Sequence, residues 1–151
     1  TPVFRLARPY TLLDNYLEYG IYDYQRDAFQ NKFARTAAVV YKPLLVKNRY
    51  MRVYLRAQHP DAETWPVPVS LRLDDVLIGT TVLSNRQWQM LYLDLSAWQA
   101  DIDTNRVAQT GGVPAVLSMI SGRTWNPQQA RRARDNRAYG ADLGAIEWGY
   151  Y

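Results

Sequence analysis

A chain of 151 residues with 48% hydrophobic and 21% charged residues has room for one ordinary core and lies far from the composition of disordered proteins. It has no cysteine and a single histidine, His59, which excludes a disulfide framework, a thiolate nucleophile, cysteine-ligated metal and a multi-histidine metal site. Eighteen basic against 14 acidic residues give +4, but only Arg131, Arg132 and Arg134 cluster, without the interleaved aromatics of a nucleic-acid surface, so no nucleic-acid partner is expected.

In chain order the dominant signal is β. Val3–Arg8 and Tyr16–Tyr22 read as short aromatic-rich strands. Phe33–Tyr41 is a third, expected to stop at Lys42-Pro43 because proline cannot extend a central strand. Arg49–Ala57 sets Tyr50, Arg52, Tyr54 and Arg56 against Met51, Val53, Leu55 and Ala57, the pattern of a half-buried strand. A loop of turn formers, 58–66, leads to Val67–Leu73, whose Val67, Val69, Leu71 and Leu73 point inward. Asp74-Asp75 then turns the chain into Val76–Leu83 as a tight hairpin. After a turn at Asn85-Arg86, the segment Trp88–Leu95 alternates again. Ser96–Asn105 is the one stretch expected to be helical or irregular. Val113–Trp125 and Leu143–Trp148 are the last strands.

Eight or nine strands at short intervals with minimal helix predict an all-β fold, an antiparallel two-sheet sandwich of jelly-roll type in a single domain over residues 1–151. Residues 1–15 are left as a linker or an added edge strand. No apolar run is long enough to span a bilayer, so no direct membrane insertion is expected. The opening Thr1-Pro2, without methionine, is expected to mark an excised piece.

The segments Leu73–Gly79, Trp88–Leu95 and Ser121–Pro127, with Asp135-Asn-Arg137, Tyr139-Gly140 and Ile146-Glu-Trp148, resemble an extracytoplasmic β-sandwich module. Such modules are appended to bacterial O-antigen polymerase and ligase-type membrane proteins and to surface-polysaccharide glycosyltransferases. The resemblance covers roughly residues 16–149. It implies a periplasmic or cell-surface location, a non-catalytic role, and a shape like that of a carbohydrate-binding jelly roll. The implied partners are a carbohydrate or envelope polymer, other copies of the chain, or the rest of a membrane-anchored protein.

Aromatic rings beside hydrogen-bonding groups suit a pyranose, so the candidate ligand-binding residues are Tyr19, Tyr22, Tyr24, Trp65, Trp125, Arg123 and Asn126. Tyr10, Tyr16, Tyr19, Tyr22 and Tyr24 form a dense group that serves either as a recognition surface or as a wet sheet face with cross-strand pairs. Tyrosines gathered in one groove would favour glycan binding; a flat stripe would favour assembly. Asp135 and Arg137 read as a clasp that pins a loop through charge-assisted hydrogen bonds, with Trp148 sealing the sandwich beside it. No cofactor is expected. The pairs Asp74-Asp75 and Asp101-x-Asp103 are the places a structural calcium would be sought, although a full run of alternating oxygen ligands is lacking. A glycosidase would need two carboxylates facing each other across a groove. His59, in a loop beside Pro60, is expected to be exposed.

Overall fold

The computed structural model describes residues 3–6, 18–102, 112–131 and 134–150. Nine strands and two short helices follow in order: β1 Val3–Leu6, β2 Tyr19–Arg26, β3 Lys32–Val46, β4 Tyr50–Arg56, β5 Val67–Leu73, β6 Val76–Leu83, β7 Gln89–Asp94, α1 Ser96–Asp101, β8 Val113–Ser121, α2 Pro127–Arg131 and β9 Asp142–Tyr150. Every strand pairing is antiparallel, in the order β6-β5-β8-β3-β9-β4-β7, with β1 added to β9 and β2 to β3. The fold is an all-β sandwich of the jelly-roll kind.

The long strand β3 belongs to both layers. Val39–Val46 pair with β8, while Ala34 meets Leu143 of β9. At the opposite side the layers close without pairing: a Cβ added to Gly79 of β6 would lie 2.4 Å from Leu93 Cδ2 of β7. Alternation decides what fills the space between. Val67, Val69, Leu71 and Leu73 from β5 and Leu117 and Met119 from β8 face Met51, Val53 and Leu55 from β4 and Ile146 and Trp148 from β9, all buried. Each such side chain contributes about 1.5–3 kcal/mol on leaving water.

The hairpin expected at Asp74-Asp75 is present, with both residues at positive φ (48° and 70°), the backbone that a two-residue turn between twisted strands requires. Asp74 also anchors α1. Its carboxylate accepts from Trp98 Nε1 at 3.0 Å and from the Val116 amide at 2.9 Å, so Trp98 plugs this end of the core. Asp101 is exposed, and Asp103, Tyr10, Tyr16 and Arg132 lie outside the described residues.

Three expectations need correction. β3 does not stop at Lys42-Pro43 but runs through Pro43, opposite Val116, to Val46. Among the described residues β2 accompanies β3 only as far as Tyr41, and beyond that point none of them pairs with β3 on that side, where a missing N–H leaves no ladder bond unmade. The second strand lies further along than expected, at Tyr19–Arg26. It reaches β3 across a bulge at Gly20, whose φ of +80° and 1.9 Å approach of an added Cβ to Val39 O admit only glycine. The strand expected over Val113–Trp125 ends at Ser121, and Trp125 instead forms an isolated bridge with Tyr139.

Candidate functional site at the loop end of the sandwich

Register places four connections at one end of the molecule: residues 27–31, 57–66, 84–88 and 122–141. Arg56 lies opposite Asp142, Leu55 opposite Gln89, Val67 opposite Leu83 and Val69 opposite Ser121. Contacts between the connections hold the group together. Trp88 Nε1 donates to Asp27 Oδ2 (3.2 Å), Gly140 N to Thr36 O (2.8 Å), and His59 Nε2 to Arg123 O (3.0 Å).

The loop 57–66 presents Trp65. Amide donors of Thr64 and Trp65 both reach Asp61 O, at 3.0 and 2.8 Å, and Ala62 N reaches His59 O. Arg123 locks the turn from across the end. Its Nε donates to Trp65 O at 3.1 Å and its Nη2 to Asp61 Oδ1 at 2.7 Å. The backbone of Trp65 is therefore held from two sides while its indole is 65% exposed. His59 was expected at the surface and is instead fully buried beneath this loop. Its Nδ1 has no partner, and burial holds its pKa below the usual imidazole range.

The connection 122–141 forms the second part. Asp135 accepts from Arg137 N (3.0 Å), Nε (3.1 Å) and Nη2 (3.1 Å) and from Tyr139 Oη. These donors, Arg137 foremost, hold its carboxyl well below the usual carboxylate range. Arg137 also reaches Asp23 at 3.5 Å, and Asp23 accepts from Arg35 Nε at 2.7 Å. Arg35 lowers the Asp23 carboxyl too. Both guanidinium groups lie over the Tyr139 ring at 5.2 Å. Tyr139 is packed edge-on by Tyr22 (5.2 Å) and beside Trp125 (5.9 Å); burial, then Asp135, pushes its hydroxyl to about 12. His59 stands 6.4 Å from Trp125, so a chain of rings and arginines connects the Tyr139 cluster to the Trp65 loop.

The residues singled out in the sequence separate by role. Asp135, Arg137 and Tyr139 bond one another within the last connection; Trp148 lies in the core, where its backbone pairs with Met51 of β4. Asn126 is an N-cap: its Oδ1 accepts from Gln128 N (2.9 Å) and Gln129 N (3.2 Å), ahead of Pro127 in the first helical position. Its Nδ2 donates to Asn136 O at 3.0 Å. Among the described residues, Tyr19, Tyr22 and Tyr24 form neither one groove nor one stripe. Tyr22 enters the clasp and donates to Ala138 O at 2.8 Å. Tyr24 donates to Glu18 at 2.7 Å, and Glu18 also holds Lys42 at 2.6 Å. Tyr19 packs on Tyr41 at 5.7 Å. Tyr139 stands in the sequence only as part of the Tyr139-Gly140 motif, without a site role, and nothing in the sequence pointed to Arg35 or Asp23, which reach Tyr139 and Arg137 through the fold.

Asp23 and Asp135 are both ion-paired and ionised, neither poised to donate a proton. Burial does raise the Asp142 carboxyl to about 6, but the group is 3% exposed, behind Arg56 (3.0 Å) and Gln58 (2.8 Å), where no glycosidic oxygen can reach it. Among the described residues no three His, Asp or Glu side chains converge as a metal site, and no helix is long and apolar enough to cross a membrane.

No protein-family model matches the sequence, and no curated protein matches it. Among solved structures, the chain is similar to an acetyl xylan esterase from the rumen bacterium Butyrivibrio proteoclasticus, with 9% identity, a TM-score of 0.45, and 98% of this chain and 32% of that one covered. It is also similar to the CBM51-2 and INT domains of ZmpB from Clostridium perfringens, without ligand and in complex with GlcNAc, each with 11% identity, a TM-score of 0.42, and 99% of this chain and 28% of that one covered. The chain thus spans less than a third of each of these structures, and an O-antigen polymerase or ligase is not among them.

Proposed function

We propose that the chain is a non-catalytic recognition module of the bacterial cell envelope, working outside the cytoplasm, that binds carbohydrate or a surface polymer at its loop end. One observation carries this reading: Trp65 is 65% exposed on a loop whose backbone Arg123 and Asp61 hold in place. An indole presented rigidly offers a flat apolar face at little entropic cost, and the adjoining guanidinium and carboxylate supply directional partners for sugar hydroxyls. The ion-paired state of Asp23 and Asp135 and the sealed position of Asp142 support recognition over hydrolysis.

Titration with glycans at millimolar concentration, read by tryptophan fluorescence, tests the proposal. Quenching in the wild type that disappears in Trp65→Ala is expected; a glycan array with no binder at that concentration would overturn it.

A second reading is assembly with copies of the chain. It draws on the outer face of β5, β6 and β8, where Pro68, Ser70, Thr80, Val82, Ile120 and Gly122 line a shallow depression and Val82 and Ile120 are exposed. Concentration-dependent sedimentation without sugar, abolished by Val82→Asp, would favour it.

A further inference from the structure

The hairpin between β2 and β3 carries Phe29 at its tip, 86% exposed, the highest value among the exposed large hydrophobic side chains of the described residues. The tip is firmly built. Asp27 Oδ1 accepts from Phe29 N at 2.8 Å and Asn31 N at 2.9 Å, and its Oδ2 accepts from Asn31 Nδ2 at 3.1 Å and Trp88 Nε1 at 3.2 Å. Backbone bonds of 3.0 Å join Asp27 N to Asn31 O and Gln30 N to Asp27 O, with Gln30 at φ +66°. Eight or more donors and acceptors are thus organised around a side chain that touches water.

The surroundings of Phe29 are basic. Arg26 and Lys32 face each other across the base of the tip, a like-charge cross-strand pair that disfavours the hairpin. Among the described residues neither is in an ion pair; Arg26 Nη1 donates to Gln30 O at 3.1 Å and Lys32 Nζ lies over the Tyr24 ring at 4.8 Å. Arg86, in the adjacent turn leading to Trp88, is also exposed. The acid of the tip, Asp27, has its carboxylate engaged by four N–H groups.

A protein partner would need a fitted pocket to bury a projecting phenylalanine. A bilayer interface accepts such a ring without a pocket, and anionic headgroups attract the exposed cations around it. We infer that the β2–β3 hairpin tip is an interfacial anchor: Phe29 enters the outer edge of an anionic bilayer while Arg26 and Lys32 engage its headgroups. Such surface contact is distinct from a membrane span, and it stands independently of glycan binding at Trp65.

Co-sedimentation of the full chain with phosphatidylcholine vesicles, with and without about 30 mol% phosphatidylserine, tests this. The wild type is expected to bind the anionic vesicles, not the neutral ones, and to be released at about 0.5 M salt. Phe29→Ala should lower partitioning about tenfold or more with its melting temperature unchanged because the side chain is exposed, and Lys32→Gln about fivefold with a melting temperature no lower than the wild type's, since it relieves the like-charge pair with Arg26. Absence of binding to anionic vesicles, or equal binding by wild type and Phe29→Ala, would overturn the inference. So would lipid-free self-association that Phe29→Ala removes, since the tip would then be a protein contact.

Discussion

Around Tyr139 carboxylates and guanidinium groups satisfy one another within the protein, whereas at Trp65 the hydrogen bonds stop at the backbone and the ring is left to solvent. Both regions lie on the same end of the sandwich and draw on the same residue types. The contrast shows that density of polar contact marks the support of the site, and a pinned backbone beneath an open ring marks its working surface. Replacing residues of each kind should therefore separate stability from binding.

The largest effect is expected from Tyr139→Ala. Its ring supports Tyr22 and Trp125 and lies beneath Arg35 and Arg137. Truncating a buried aromatic costs about 3–5 kcal/mol, so chemical denaturation should show a large fraction of the stability of a domain this size removed. A loss below about 1 kcal/mol would mean that the clasp does not hold this end together.

Next in size is a dependence on pH from Asp142. Burial, opposed by Arg56 and Gln58, raises its carboxyl to about 6 from the ordinary 3.8. A group whose folded pKa lies above its unfolded one stabilises the fold fully below the unfolded value and loses that contribution as pH rises through the folded one. Its contribution is therefore complete below about pH 3 and gone above about pH 7, a span of at most about 3 kcal/mol. His59, with a lowered pKa, works the other way as pH falls below its unfolded value of about 6.5. The difference between wild type and Asp142→Asn isolates the carboxyl: it should shift in favour of the wild type by up to that amount between pH 7 and pH 4. A difference that does not change with pH would show that Asp142 titrates normally.

Much of this end was hidden in the sequence for reasons that particular residues make plain. Strands β4, β5, β6 and β7 were legible because one face meets the core and the other water, so Met51, Val53 and Leu55 or Val69, Leu71 and Leu73 alternate with polar or exposed neighbours. The course of β3 past Pro43 was not, because whether a proline sits at an edge depends on where a partner strand ends, and β2 is not local in sequence. Asn126-Pro127 did carry a helix-start signal, an N-cap residue before proline at the first helical position, which the functional reading of Asn126 obscured. His59 gave no sign of burial, since the loop that covers it is closed by Arg123, 64 residues away. Phe29 was passed over because a lone aromatic between polar residues has no periodicity to reveal its exposure.

Arg123→Ala tests the join between the two regions. It removes the clamp on Trp65 O and the ion pair with Asp61 while leaving the indole in place. A stability loss of about 1–2 kcal/mol is expected, together with glycan binding weakened about tenfold through a loosened loop. Unchanged affinity would show that Trp65 needs no fixing, and the argument from its pinned backbone would fail.

The smallest effect on folding belongs to Trp65→Ala, and its smallness is the point. A largely exposed side chain contributes little to the fold, so the melting curve should match the wild type within about 0.5 kcal/mol. The same substitution should abolish measurable glycan binding, because stacking on a fixed indole is the main contact proposed. A large loss of stability would instead assign the ring a packing role, place Trp65 with Tyr139 among the supports, and leave the loop end without its working surface.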